Sequence, residues 1–114
     1  MKGQSFLRRL VFALNGLRLA FTREQSFRFQ VLGACGVMVV LAVTRPSAMW
    51  WAIGALAVGL VLVAELLNTA LETLADRLHP EVHPEIQAVK DIAAGAVLVA
   101  GVIAALVAII FVLK

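Results

Sequence analysis

The sequence predicts an all-α integral membrane protein with three transmembrane helices plus an N-terminal amphipathic surface helix. Two observations predict it. Three apolar runs, Phe29 to Val43, Ala48 to Ala64 and Ile92 to Leu113, are set apart by short polar segments, and a helix needs about 20 apolar residues to cross a hydrocarbon core about 30 Å thick. The composition also requires lipid: of 114 residues 62% are hydrophobic and 15% charged, and the mean hydropathy is +0.98. A soluble domain holds roughly 45–50% apolar and 25% charged residues, and a chain this short leaves too much surface outside any core to hide the excess. The single cysteine, Cys35, excludes a disulfide framework and a cysteine-built zinc site. The lack of long polar or low-complexity runs excludes disorder. One membrane-embedded domain over residues 1–114 remains.

Taken in order, residues 5–22 form the surface helix. At about 100° per residue Phe6, Leu7, Leu10, Ala13, Leu14, Leu17, Ala20 and Phe21 share one face, and Arg8, Asn15 and Arg18 lie away from it. Basic groups on the wet face are drawn to anionic headgroups. Phe12, Gly16 and Leu19 blur that face, and both a simple anchor and one wall of a site are open to this helix. The spans follow at residues 28–44, 48–78 and 88–113. Between the first two, Thr44-Arg45-Pro46-Ser47 is a tight turn in which Pro46 ends one helix and Ser47 is placed to cap the next, making a hairpin. The second apolar run is short for a crossing, and its pattern continues from Glu65 to Glu72 with no Gly or Pro until Pro80. One helix therefore leaves the membrane and carries on into the cytoplasm. No compact apolar core with a small-residue cleavage site precedes Phe29, so the N-terminus is expected to be retained.

Orientation follows from the basic residues. Lys2, Arg8, Arg9, Arg18, Arg23 and Arg28 precede or open the first span and Arg77 and Lys90 lie between the second and third, leaving Arg45 and Lys114 on the far side. By the positive-inside rule the N-terminus and the second loop are cytoplasmic and the C-terminus is outside. The acids Glu24, Glu65, Glu72, Asp76, Glu81, Glu85 and Asp91 gather at the same end, so chemistry belongs there. The basic excess follows the membrane flank, and no nucleic-acid partner is expected.

Glu65, Asn68, Glu72 and Asp76 are spaced by 3, 4 and 4 residues, which puts them within roughly an 80° arc of one helix face. A carboxylate at the bilayer centre costs at least about 2.5–3.5 kcal/mol on insertion scales, and Glu65 directly follows the second apolar run. The bland alternative is that the stripe pairs with Arg or Lys of a neighbouring helix, or, for Asp76 above all, extends into water beyond the headgroups. The third helix opens on Lys90-Asp91 and turns apolar at once, with Gly95 and Gly101 permitting close packing, so an ammonium faces the stripe. Carboxylates with a lysine at a membrane surface suit phosphoryl transfer, in which acids hold Mg²⁺ and a cation steadies the phosphates. No Walker loop is present, so a nucleotide site here is not of the usual soluble kind. His79 and His83 share a loop with Pro80, Glu81 and Pro84; two histidines without a third ordered partner are more often solvated than metal-binding.

The segment Ala64-Glu65-Leu66-Leu67-Asn68-Thr69-Ala70-Leu71-Glu72-Thr73-Leu74-Ala75-Asp76 resembles the Glu-x-x-Asn-(Ser/Thr)-Ala-x-Glu-x-x-x-Asp signature of the small bacterial diacylglycerol kinase and undecaprenol kinase family. Lys90-Asp91 follows at the expected distance, and Gly16-Leu17-Arg18, Glu24, Phe27-Arg28 and His83 also match. The resemblance covers nearly the whole chain apart from the first few residues and the last span. It implies a homotrimer in the bacterial cytoplasmic (inner) membrane, with an interfacial active site that transfers the γ-phosphate of ATP to a lipid hydroxyl. Carried over residue by residue, it makes Glu65 the general base and Glu24 and Glu72 ligands of Mg²⁺. Asn68, Asp76, Lys90 and Asp91 would surround the nucleotide, with Arg28 and Gln30 at the lipid substrate. The helix itself is compatible with that division: Glu65 is the deepest acid, and Asp76 lies about 16 Å further along, so lipid enters from one end and ATP from the other.

The acceptor is undecaprenol or diacylglycerol. Ile92-Ala93-Ala94-Gly95-Ala96-Val97 resembles the undecaprenol-type branch, whereas proteobacterial diacylglycerol kinases resemble Gly-Ser-Ala-Ala there. Gln30 stands where that second branch carries a Glu thought to touch the lipid. Two further classes remain open. A small proton-coupled transporter could use an intramembrane Glu65, but has no need of Glu72, Asp76, Lys90 and Asp91 at one membrane face. A non-catalytic assembly protein accounts for the small-residue packing and leaves the stripe unexplained.

Overall fold

The computed structural model describes residue 3 and residues 5–114; Lys2, counted above among the cytoplasmic basic residues, lies outside them. The described chain is all-helical: α1 (Phe6–Arg23), α2 (Gln25–Thr44), α3 (Ala48–Leu78) and α4 (Pro84–Leu113). The last three are long and apolar enough to cross a membrane.

Each boundary has a local cause. Ser5 stands outside the first helix as its cap, its Oγ accepting from the Arg8 N–H at 3.3 Å, which satisfies one of the donors a helix start leaves free. Helix α1 runs through Arg23 rather than stopping at residue 22, and a single extended residue, Glu24, separates it from α2. The α2 helix consequently starts at Gln25, three residues ahead of the expected span. Arg28 secures the corner: one terminal guanidinium nitrogen donates to the carbonyls of Phe21 at 2.7 Å and Thr22 at 3.2 Å, acceptors that α1 leaves open at its C-terminal end.

At the other end of α2, Arg45 takes a left-handed conformation (φ 52°) and its N–H donates to the Leu41 carbonyl at 3.0 Å. Pro46 then prevents the helix from continuing. Ser47 occupies the N-cap position of α3 but makes no side-chain cap bond. This corrects the reading of Ser47 as a capping side chain; its backbone carbonyl, bonded by the Trp50 N–H at 3.0 Å, starts the helix instead. Helix α4 begins at Pro84, ahead of the expected residue 88, because His83 caps it, Nδ1 accepting from the Glu85 N–H at 3.1 Å. Proline fits the first helical position because its missing donor has no partner there anyway.

Helix α3 is the centre of the molecule, packed along α4 and against α2. Its buried positions are chiefly small: Gly54, Ala57, Val61 and Ala75, facing neighbours that include Leu41 of α2, with Ala93 and Ala100 buried on α4. Small residues let helix backbones approach closely where no hydrophobic effect drives them together. A Cβ on Gly54 would lie 3.1 Å from Leu41 Cδ1, so this glycine sets the α2–α3 distance. Outward side chains such as Leu32, Leu56, Leu67, Leu98 and Ile110 are large, apolar and exposed, the reverse of a soluble surface. Trp50 and Phe111 meet edge to face at 5.1 Å between centroids, and the Lys114 ammonium sits 4.7 Å from the Phe111 ring.

Candidate active site

The packing of α2 on α3 determines the surroundings of the deepest acid. Glu65 is 4% exposed, buried on the face of α3 that continues from Gly54, Ala57 and Val61. Its carboxylate accepts a hydrogen bond from the hydroxyl of Ser26, 39 residues earlier in the first turns of α2. Its partner is neutral and brings no opposing charge. One turn on, Asn68 donates through Nδ2 to Glu72 Oε1 at 3.4 Å, while its Oδ1 is buried without a partner. An unmet buried acceptor costs about 1–3 kcal/mol, a cost removed when a donor or cation approaches. At the far end of the stripe Lys90 of α4 reaches Asp76 at 2.7 Å.

The stripe therefore divides. The alternative in which its acids pair with basic side chains holds for Asp76 and Lys90, whose side chains are 62% and 29% exposed. For Glu65 and Glu72 no such pair forms among the described residues. Asp91 accepts from Gln87 Nε2 at 2.9 Å along its own helix. Glu24 sits half-buried at the α1–α2 break, on the wall of a groove of about 790 Å³ that runs between α1 and α3 past Thr69, Thr73 and Arg77. Arg28 is engaged with the α1 carbonyls, and Gln30 is half-buried one turn past Ser26. On the opposite flank of α3, an apolar groove of about 660 Å³ lies against α4, with Leu67, Asn68, Val89 and Ile92 among its walls. His79 and His83 stay in their loop, Nδ1 of His79 lying 3.0 Å from the Glu81 carbonyl and the two rings 5.5 Å apart.

Ser26 and Gln87 escaped the sequence reading. A serine three residues ahead of the first apolar run carries no pattern of its own, and its relation to Glu65 exists only through the crossing of α2 and α3.

A model of the prokaryotic diacylglycerol kinases matches residues 11–112. The chain belongs to that family. It is 34% identical over 105 residues to an undecaprenol kinase of Bacillus subtilis, across 92% of this chain and 85% of the relative. It is 35% identical over 97 residues to a diacylglycerol kinase of Synechocystis sp., across 84% of this chain and 55% of that relative, so it spans just over half the length of the second. Membership of this kinase family makes the chain a phosphotransferase with an alcohol acceptor and decides against the transporter and assembly-protein readings.

Kinase chemistry implies Mg²⁺, which keeps several waters and is held by one or two carboxylates together with substrate phosphates. Glu72 and the unmet Oδ1 of Asn68 are oxygen donors of that kind on one helix turn. Among the described residues no three acidic, imidazole or thiol groups gather into a cage. The residues thus fit an open site completed by phosphate oxygens.

Proposed function

We propose that this protein is an ATP-dependent membrane lipid kinase that transfers the γ-phosphate of Mg-ATP to the hydroxyl of undecaprenol or diacylglycerol. The products are undecaprenyl phosphate or phosphatidic acid. The observation that carries the reading is Glu65, a buried carboxylate with a neutral partner, at the apolar end of a polar stripe that ends at the Asp76–Lys90 pair. A lipid hydroxyl arrives from the membrane and ATP from water, and this stripe joins the two.

In the reaction the lipid oxygen attacks the γ-phosphorus, the bond from that phosphorus to the β,γ-bridging oxygen breaks, and ADP leaves. The hydroxyl proton passes to Glu65, which acts as general base. Glu72 and Glu24 would hold Mg²⁺, with the unmet oxygen of Asn68 as a further donor; bound there, the ion would supply positive charge against the phosphates. Lys90 and Asp76 flank the nucleotide, with Lys90 as the cation nearest the phosphates and Asp91 beside them, and Arg28 and Gln30 lie on the lipid side. The run from Ile92 to Val97 favours undecaprenol as the acceptor.

The test is transfer of label from γ-labelled ATP to lipid by the purified protein in mixed micelles, with undecaprenol and diacylglycerol in parallel. Labelled undecaprenyl phosphate or phosphatidic acid is expected, dependent on Mg²⁺. Label in neither lipid, from protein that is folded and supplied with both, overturns the proposal.

A further inference from the structure

We propose that Ser26 is a positioning residue for the phosphoryl transfer: its hydroxyl fixes the Glu65 carboxylate in the orientation that accepts the lipid proton. The inference rests on the reading of Glu65 as general base. Glu65 is the buried charged side chain of the described structure, and the hydrogen bond it receives comes from Ser26 Oγ to Oε1.

The type of partner matters. An ionised carboxylate offers about four acceptor sites on two oxygens. A guanidinium would occupy two of them in a bidentate pair and bring a full positive charge, leaving a poor proton acceptor. A serine hydroxyl has one hydrogen to give. It engages Oε1, restricts rotation of the carboxyl group and leaves Oε2 for the substrate. The same hydroxyl has lone pairs of its own, so it can turn and accept from Glu65 once the lipid proton has arrived. One side chain thus serves both protonation states.

Placement supports the same role. Ser26 lies two residues past Glu24, the break between α1 and α2, and Arg28, two residues further, ties that break to the last carbonyls of α1. The serine is therefore anchored on a corner held from both sides. A misplacement of about 1 Å at a reacting group costs up to a hundredfold in rate, so a hydroxyl on a fixed corner is suited to a step that depends on aim.

The test compares Ser26→Ala, Ser26→Cys, Ser26→Thr and Glu65→Gln as purified membrane proteins in the lipid-labelling assay. Alanine is the best helix former, and cysteine is close to serine in size but a weak donor, so two variants remove the bond without disturbing the helix. Both are expected to lower kcat by about ten- to a hundredfold with the KM for Mg-ATP within twofold, and Ser26→Thr, which keeps the hydroxyl, to restore turnover. Because Ser26 acts through Glu65, adding Ser26→Ala to Glu65→Gln is expected to change the residual rate by less than twofold. Near-normal turnover of Ser26→Ala and Ser26→Cys beside an impaired Glu65→Gln overturns the inference and leaves the base standing. A further multiplicative loss in the double variant also overturns it, since Ser26 would then act elsewhere. Near-normal turnover of Glu65→Gln itself overturns the base, and this inference falls with it.

Discussion

Glu65 and Glu72 share one face of α3, yet their surroundings differ. Glu65 is sealed against α2 with a neutral donor, whereas Glu72 is half-buried and accepts from Nδ2 of Asn68, whose own oxygen is unmet. Replacing Glu72 or Glu24 by Gln is expected to raise the Mg²⁺ requirement and the KM for Mg-ATP by tenfold or more, of order 1.4 kcal/mol, because an amide keeps the shape and loses the charge that holds a hard cation. Glu65→Gln is expected to lower kcat by about 10²–10⁴-fold with little change in that KM, since only proton acceptance in the transition state is lost. Initial-rate titrations of Mg²⁺ and ATP on the three variants check the split; a matching pattern in all three would erase the division. Lys90 invites a separate comparison. Its bridge to Asp76 is exposed, and such bridges contribute about 0–1 kcal/mol. Lys90→Met should therefore leave the thermal midpoint in detergent nearly unmoved while raising the KM for Mg-ATP about tenfold; a large stability loss with normal kinetics would make Lys90 a structural residue. The stripe was legible in the sequence because its spacing is local, one helix reporting its own face. Ser26, the Arg28 contacts and the unmet oxygen of Asn68 were not, because each depends on which residues of another turn or helix come near.

At the scale of the helices, length and hydropathy sufficed to read three helices long and apolar enough to cross a membrane, and the unbroken pattern from Ala48 to Leu78 already implied one continuous helix. The boundaries were harder, because they are set by caps that bond backbone groups. Glu24 interrupts the chain for a single residue, too short to alter any periodicity, and His83 starts α4 with a ring nitrogen where a Ser, Thr, Asp or Asn is the usual signal. Arg28 is a consequence of the first of these. Its removal by Arg28→Ala is expected to free the Phe21 and Thr22 carbonyls and to raise hydrogen exchange over the last turn of α1, with the interior of α3 unaffected. Unchanged exchange there would separate Arg28 from the corner and return it to the lipid alone. The glycines of α3 give a sharper contrast. Gly59 has open space where a Cβ would stand, whereas at Gly54 Leu41 is 3.1 Å away. Gly59→Ala should raise stability by roughly 0.5–1 kcal/mol through helix propensity alone. Gly54→Leu should lower it by about 1–3 kcal/mol, as overpacking forces α2 away from α3, and because Glu65 lies on the same face as Gly54, activity should fall with it. Thermal unfolding of both variants in one detergent decides the comparison; equal shifts would mean that Gly54 does not set the helix spacing.

For the whole molecule, the charge distribution and the exposed apolar side chains of α2, α3 and α4 make two demands. By the positive-inside rule, the basic residues ahead of α2 and between α3 and α4 predict a cytoplasmic N-terminus and Arg77 to Lys90 loop, with Lys114 outside. With Cys35 replaced, a cysteine at Val82 should resist an impermeant thiol reagent in intact cells and react once the membrane is opened; labelling from outside would invert the topology. The second demand concerns assembly. Inside lipid every polar group has to be satisfied by protein, by a cavity or by a ligand. One chain accomplishes this for Glu65 through Ser26 but leaves Asn68 Oδ1 without a partner and Glu72 half-open. Helix α3 has α2 and α4 packed along it, while α1 meets α2, so a single subunit has no remaining helix with which to close the stripe. Further copies of the same chain are the economical cover, and closed symmetry is how identical chains generally supply it. The expected product of amine- or thiol-directed cross-linking in gentle detergent is a ladder ending at three subunits, with activity and the trimer lost together on dilution into harsher detergent. Full specific activity in a preparation that cross-links only as monomer would show that one chain completes its own site, and the open oxygen of Asn68 would then be met by substrate alone.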